Sequence, residues 1–247
     1  MRVLVTFAVD AEFAPWRKRR AFRLKQMGAL EVSCANIGEL ELNVALTGIG
    51  GKSRAWIGAS FDCDIDICIS SGLAGALRAQ YAPGDILVPN YVGDFTGRKT
   101  VCDAELRKLA VEAGAHEVDC FYSTDSVILL SVEKRTLGTN ADAVDMETAE
   151  VLVRMAAHGA RVVAIRGISD AVDEDLPLDF NRVTTDTGEL SMGRILGQVA
   201  KNPAKVPSLI RFGRQSRRAA EELCGFLDRY VEGLSKALPA MTKEAAR

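Results

Sequence analysis

Arg161-Val162-Val163-Ala164-Ile165-Arg166-Gly167-Ile168-Ser169-Asp170 is the stretch on which the fold turns. Val, Ile and Ala dominate its first eight positions, and its length suits a buried strand. It delivers two polar groups, Ser169 and Asp170, at its carboxyl end. The segment before it, Met146 to His158, repeats apolar residues at helical spacing (Ala149, Val151, Leu152, Met155) and closes on Gly159. A helix feeding a buried strand is the unit from which sheets covered on both faces are built.

The same alternation runs outward from there. Val3 to Val9 reads as a buried strand, and Asp10 offers an N-cap for a helix from Ala11. Residues 31–47 alternate as one or two strands. Gly48-Ile49-Gly50-Gly51 reads as a tight turn, with a helix expected from Lys52 to Phe61. Ile65 to Ser70 is the next strand, ending in a small-residue turn, Ser71 to Ala76. Gly84 to Pro89 is a strand, 90–101 a polar loop, Asp103 to Gly114 a helix and Glu117 to Tyr122 a strand. The expected fold is α/β: three layers, αβα, around a twisted, mostly parallel, mixed central sheet. Residues 1–238 are expected as one domain, with 239–247 a flexible tail. In such sheets ligands bind beyond the carboxyl ends of the strands.

Composition excludes several functions. The net charge of -2 and 6% aromatic content leave no basic or base-stacking surface for nucleic acid. The six cysteines, Cys34, Cys63, Cys68, Cys102, Cys120 and Cys224, form no Cys-x-x-Cys pair, and the two histidines are His116 and His158, so no metal is expected. Gly50-Gly51-Lys52-Ser53 lacks the earlier glycine of a phosphate loop, because position 46 is Leu46. Gly72 and Gly75 do not complete Gly-x-Gly-x-x-Gly, so no cofactor is expected. The start, Met1-Arg2-Val3-Leu4-Val5, enters a strand pattern without a secretory leader, and no run of about 18 apolar residues occurs. The expected compartment is the cytoplasm. From Val206 to Leu234 apolar residues keep helical spacing, with Lys205, Arg211, Arg214, Arg217 and Arg218 among them. That pattern reads as a helix packed on the core or as a basic helix touching a membrane or lipid surface.

Four acidic residues stand out. Glu12 follows the first strand, Asp145 and Glu147 flank Met146 at a helix start, and Asp170 ends the strand at 161–168. Singly, each has a plain reading as a helix cap or first-turn carboxylate. Their order along the chain says more. Strand-Asp-Ala-Glu, Thr-Gly-Ile-Gly, Ser-Gly-Leu-Ala-Gly, Val-Asp-Met-Glu and Arg-Gly-Ile-Ser-Asp occur in that sequence over residues 1 to about 175. This pattern resembles the nucleoside phosphorylase/nucleosidase superfamily, on the side of the methylthioadenosine/S-adenosylhomocysteine nucleosidases. Ile195-Leu196, Asn202-Pro203 and Pro207-Ser208-Leu209 look more like its hopanoid-associated branch.

The resemblance implies a purine nucleoside, a small molecule, as substrate and cleavage of its N-glycosidic bond. Asp170 matches the acid at purine N7, with Ser169 orienting it; burial would favour its protonated form. Glu147 matches the ribose-hydroxyl partner, Met146 the flat contact beneath the sugar, and Glu12 the base that activates water. Asp145 belongs to the same element. Val127 and Ile128, after Ser123-Thr124-Asp125-Ser126, match the segment that reads the adenine edge, and Leu73 and Ala74 the turn beside the anomeric carbon. Ser70 and Leu73 stand where the phosphorylases carry arginine and serine, which favours water over phosphate as nucleophile. Arg78 and Arg98 keep phosphorolysis open as the runner-up. A non-catalytic nucleoside binder is the reading from another class. The resemblance also implies a homodimer.

Overall fold

The computed structural model describes residues 1–59 and 64–244, with side chains through 237. Phe61, the end of one expected helix, and Cys63 lie outside them. Strand β1 (Arg2–Phe7) is flanked by two parallel neighbours, β4 (Leu40–Leu46) and β5 (Ile67–Ala76). Beyond β4 the sheet continues antiparallel through β3 (Leu30–Ile37) and β2 (Arg23–Met27), joined by turns at Gly28 and Gly38 with φ of 59° and 58°. Beyond β5 lies β10 (Arg161–Asp170), parallel to it over the whole strand. β10 then meets β6 (Ile86–Asp94) antiparallel, β6 meets β8 (His116–Ser123) parallel, and β8 meets β9 (Ala143–Asp145) parallel. β9 returns antiparallel to β5, so these five strands close into a ring. β7 (Lys99–Val101) hangs on β6 as a hairpin.

Helices cover the sheet on both sides, the layered α/β arrangement expected. They are α1 (Asp10–Arg19), α2 (Arg54–Ile57), α3 (Ala104–Glu112), α4 (Ser131–Leu137), α5 (Thr148–Ala157), α6 (Phe180–Val183), α7 (Met192–Lys201) and α8 (Val206–Glu244). Two adjacent residues of β10 show the layering. Arg166 reaches Thr148 in the first turn of α5, whereas a side chain at Gly167 would lie 3.2 Å from Leu223 Cβ on α8. Alternate residues of a strand face opposite layers, so β10 sits between the two helices. The 161–168 strand is buried along nearly its whole length. Phe7, Phe13, Trp16 and Phe22 tie α1 to the sheet with edge-on contacts, centroids 5.0 to 6.5 Å apart.

Several boundaries depart from the sequence reading. Ser71 to Ala76 is not a turn: β5 runs on to Ala76, because β9 and β10 pair with it there. Residues 90–101 are not loop but hold the end of β6 and all of β7. These segments read as turn or loop because they are small or polar; pairing partners distant in sequence make them strands. α2 is only four residues long. β2 and α4 carried no periodic signal. The tail expected to be flexible from 239 is helical to Glu244, and 245–247 lie outside the described residues. The C-terminal helix packs on the core through Ala220, Leu223, Leu227, Tyr230 and Leu234. Among the described residues no helix is long and apolar enough to cross a membrane.

Candidate active site

At the carboxyl ends of β1, β5 and β10 lies a cavity of about 210 Å³. Glu12, Leu73, Ala74, Val127, Ile128, Asp145, Met146, Glu147, Ser169 and Asp170 all line it. Residues spread over 159 positions therefore meet in one place, where open α/β sheets hold their ligands.

Asp170 owes its position to a bulge. The β10–β5 register runs Ile168↔Ala74 and then Asp170↔Gly75, so Ser169 is an extra residue on β10. A bulge of this kind re-aims the side chain that follows it. The Asp170 carboxylate comes to lie over a bare glycine: a Cβ on Gly75 would sit 3.0 Å from Oδ2. Oδ1 accepts from the Ser169 hydroxyl at 2.5 Å, and Oδ2 accepts from the Lys134 ammonium. The next helix, α6, starts only at Phe180, so capping does not explain Asp170.

Glu12 sits in the first turn of α1, but its carboxylate looks back into the cavity. It accepts from Leu73 N–H at 3.0 Å through one oxygen, and from Ala8 N–H at 3.0 Å and Val9 N–H at 3.4 Å through the other. Burial raises its pKa, opposed by the charge of Arg166 and by these amide donors. Gly72 makes the approach possible. A Cβ there would stand 2.3 Å from Arg166 Nη1 and 3.0 Å from Glu12 Oε2, and its φ of 139° belongs to the glycine-favoured region.

Glu147 occupies the cap position of α5 without capping it. Its Oε1 instead accepts from Gly50 N–H at 2.7 Å, a donor presented by the left-handed turn at Gly50 and Gly51. Asp145 accepts from the Ser123 hydroxyl at 2.6 Å and from the Thr148 hydroxyl. Between these carboxylates lies Arg166, 1% exposed. It donates to Ser71 O and Thr148 Oγ1, both at 2.7 Å, and pairs with Asp145 Oδ2 at 2.7 Å and Glu147 Oε2 at 3.8 Å. One guanidinium thus serves a cluster of three acids.

That charge imbalance shows in Glu147. Burial is the main cause that pushes its pKa up from 4.5 to about 7; Arg166 opposes it and Asp145 adds to it. A carboxyl whose folded pKa is raised stabilises the fold fully below its unfolded value. The contribution is lost as pH climbs from 4.5 to about 7. Glu147→Gln removes the titration and keeps an acceptor for Gly50. Its melting temperature is expected to gain on the wild type across that window and to hold a constant difference above it. Parallel Tm–pH curves for the two proteins would remove this assignment.

Sequence reasoning missed Arg166 and Lys134. Arg166 left a signal, a charged residue inside an apolar strand, which must find counter-charges once buried. Lys134 left none, since the segment that became α4, Ser131–Leu137, carries no periodic signal. Also unforeseen are Ile49, Leu176, Phe180, Leu190 and Phe212, which complete the apolar wall. Arg78 and Arg98 are engaged elsewhere, with Asp142 at 2.8 Å and Asp94 at 3.0 Å. The backbone of Val127 is held at both ends by the Asn181 amide, at 2.7 Å and 3.0 Å. Among the described residues, no group of three or more side chains is arranged to hold a metal.

A second, larger cavity of about 670 Å³ adjoins the first between α1 and α8. The two share Val9, Glu12, Leu73, Ser169, Leu190 and Phe212. Ala14, Pro15, Gly213 and Ala220 continue its apolar wall, and Lys18, Arg19 and Arg217 stand at its rim.

Several solved structures share the fold at low identity. A 5′-methylthioadenosine/S-adenosylhomocysteine nucleosidase from Helicobacter pylori, bound to butyl-thio-DADMe-Immucillin-A, matches with a TM-score of 0.71 and 17% identity, over 94% of this chain and 98% of that one. The S. pneumoniae nucleosidase of the same kind, with the transition-state inhibitor MT-ImmA, gives 0.70 and 14%, over 95% and 100%. Futalosine hydrolase of Helicobacter pylori gives 0.70 and 17%, over 94% and 97%. No curated protein matches. The sequence profile of the phosphorylase superfamily matches residues 12–232. The chain therefore belongs to the phosphorylase superfamily.

Proposed function

We propose that this protein hydrolyses the N-glycosidic bond of a purine nucleoside, a 5′-substituted adenosine, and releases the free base. The observation that carries the reading is the convergence of three buried acids on one cavity, each in a different setting. Asp170 bears one hydroxyl and one ammonium partner, Glu147 shares Arg166 and a backbone amide, and Glu12 is held by backbone amides beside Leu73. Breaking a ribosyl–purine bond needs a neutralised leaving base, a stabilised oxocarbenium-like sugar and a nucleophile from the far face. Asp170 supplies the hydrogen bond at purine N7. Glu147, its charge favoured by Arg166, holds the ribose hydroxyls and offsets positive charge growing on the ring. Glu12 binds and activates water. Met146 lies under the sugar, and Leu73 and Ala74 stand beside the anomeric carbon. Asn181 already occupies the Val127 backbone, which leaves Ile128 to meet the adenine edge.

Water is favoured over phosphate by the charges of the site. Among the described residues lining the cavity, Lys134 is the one cation, and it is bound to Asp170. The adjoining apolar cavity favours a bulky, apolar 5′ group over a small one. That agrees with the resemblance of the C-terminal sequence to the hopanoid-associated branch, whose substrate resembles adenosylhopane. The test is a panel of adenosines bearing 5′ groups from methylthio to long apolar chains, assayed for free adenine and sugar phosphate. Adenine release at the same rate with and without phosphate is expected, with the best kcat/KM for the larger apolar groups. Release that requires phosphate would replace the hydrolase by a phosphorylase. No release from any nucleoside would leave a binding protein.

A further inference from the structure

We infer that Lys134 is the source of the proton that Asp170 gives to the departing base, so that the two side chains act as one acid with one labile proton. The inference rests on the reading of Asp170 as the partner of purine N7. Lys134 is 1% exposed, which is rare for lysine unless the ammonium is fully partnered. Its three hydrogens are all spoken for, by Asp170 Oδ2, by Ala171 O at 3.1 Å and by Glu174 O at 2.8 Å. Both side chains line the cavity. A carboxylate facing an ammonium is an acceptor only. Both oxygens of Asp170 already accept a hydrogen bond, from Ser169 and from Lys134.

Of the two donors on Asp170, the Ser169 hydroxyl is far too weak an acid, and the proton that can move is on Lys134, in a hydrogen bond to Oδ2. The other buried cation, Arg166, cannot serve: it is committed to Asp145 and Glu147, and a guanidinium does not give up its proton in a protein. Lysine does so readily in an apolar site. The step balances. An N–H bond of Lys134 breaks and leaves its electron pair on Nζ. Asp170 takes that proton on Oδ2 and passes the same proton on to N7, and so ends as the carboxylate it was. The C–N bond electrons stay with the purine, which leaves neutral. The Lys134 amine recovers its proton from water once the products depart.

Two variants of the full chain decide the matter, each assayed for kcat and KM on the best nucleoside of the panel and for nucleoside binding by calorimetry. Lys134→Arg keeps the positive charge but carries no labile proton. Lys134→Met removes the charge, and a buried carboxyl with no cation beside it stays neutral and holds a proton of its own. Lys134→Arg is therefore expected to lose about 100-fold or more in kcat, within the usual range for a missing acid, with binding within a few-fold of wild type. Lys134→Met should keep more turnover than Lys134→Arg. A charge or packing role predicts the opposite order, with arginine the better substitute, and that result would overturn the inference. A Lys134→Arg protein that no longer binds nucleoside would overturn it as well, by assigning Lys134 to the packing of the site. Absence of base release from the wild-type chain would instead sink the nucleosidase reading itself.

Discussion

Asp170→Asn is expected to stop base release while leaving nucleoside binding within a few-fold of wild type. The amide fits the same space over Gly75 and still accepts from Ser169 or Lys134. It cannot pass a proton to N7. Loss of a positioned acid costs on the order of 10²–10⁴ in rate. The substitution also strips the counter-charge from Lys134, which is buried. Breaking one side of a buried pair costs about 3–5 kcal/mol, because the remaining charge has nowhere to go. Both effects are measurable on one sample: adenine release by absorbance, nucleoside affinity by calorimetry, and Tm by thermal denaturation. Turnover that survives unchanged would remove Asp170 from the chemistry, whatever happens to the melting temperature.

Arg166→Met is the second large effect. Methionine preserves much of the buried stem and deletes the charge shared by Asp145, Glu147 and, at longer range, Glu12. Three carboxyl groups would then be buried with no cation among them. A loss of about 3–5 kcal/mol is expected from the pairing alone. For a chain of this size that corresponds to roughly 6–20 °C in Tm. The penalty should depend on pH in a definite direction. It falls on ionised carboxylates, so it is full above the acids' folded pKa values and relieved as they protonate. Glu12 and Glu147, both raised by burial, would protonate first. The Tm gap between variant and wild type should therefore narrow from neutral pH towards pH 4.5, the ordinary glutamate value. A gap that stays constant would mean that Arg166 matters for its shape and not for its charge.

Much of the site was legible because local grammar writes it. Apolar runs at Val3–Val9 and 161–168 announce buried strands, and polar residues directly after such runs belong at strand ends. Glu12, Glu147 and Asp170 could be singled out on that ground, and the ordered motifs joined them to a family. Each of these signals spans fewer than ten residues, within reach of sequence periodicity. Where the reading failed, the cause was distant pairing. Ser71 to Ala76 has the composition of a turn, yet two strands from the far side of the chain make it β5. The hairpin at 90–101 and the closure of the sheet into a ring are of the same kind.

The sequence alone determined the α/β class, the family pattern and which acids to examine. It could not tell a helix cap from a site carboxylate, since both are an acidic residue at a helix start. Tertiary structure shows which partners each carboxyl has and that Glu12, Glu147 and Asp170 all face one cavity. The bulge at Ser169 aims Asp170 over Gly75, the turn at Gly50 lends its amide to Glu147, and the bare Gly72 lets Arg166 and Glu12 approach. It also brought Lys134 against Asp170, a pair 36 residues apart that no spacing rule connects. The physical reason is the same in each case. The state of a buried carboxyl depends on which charges and amides surround it in space, and those neighbours are chosen by the fold.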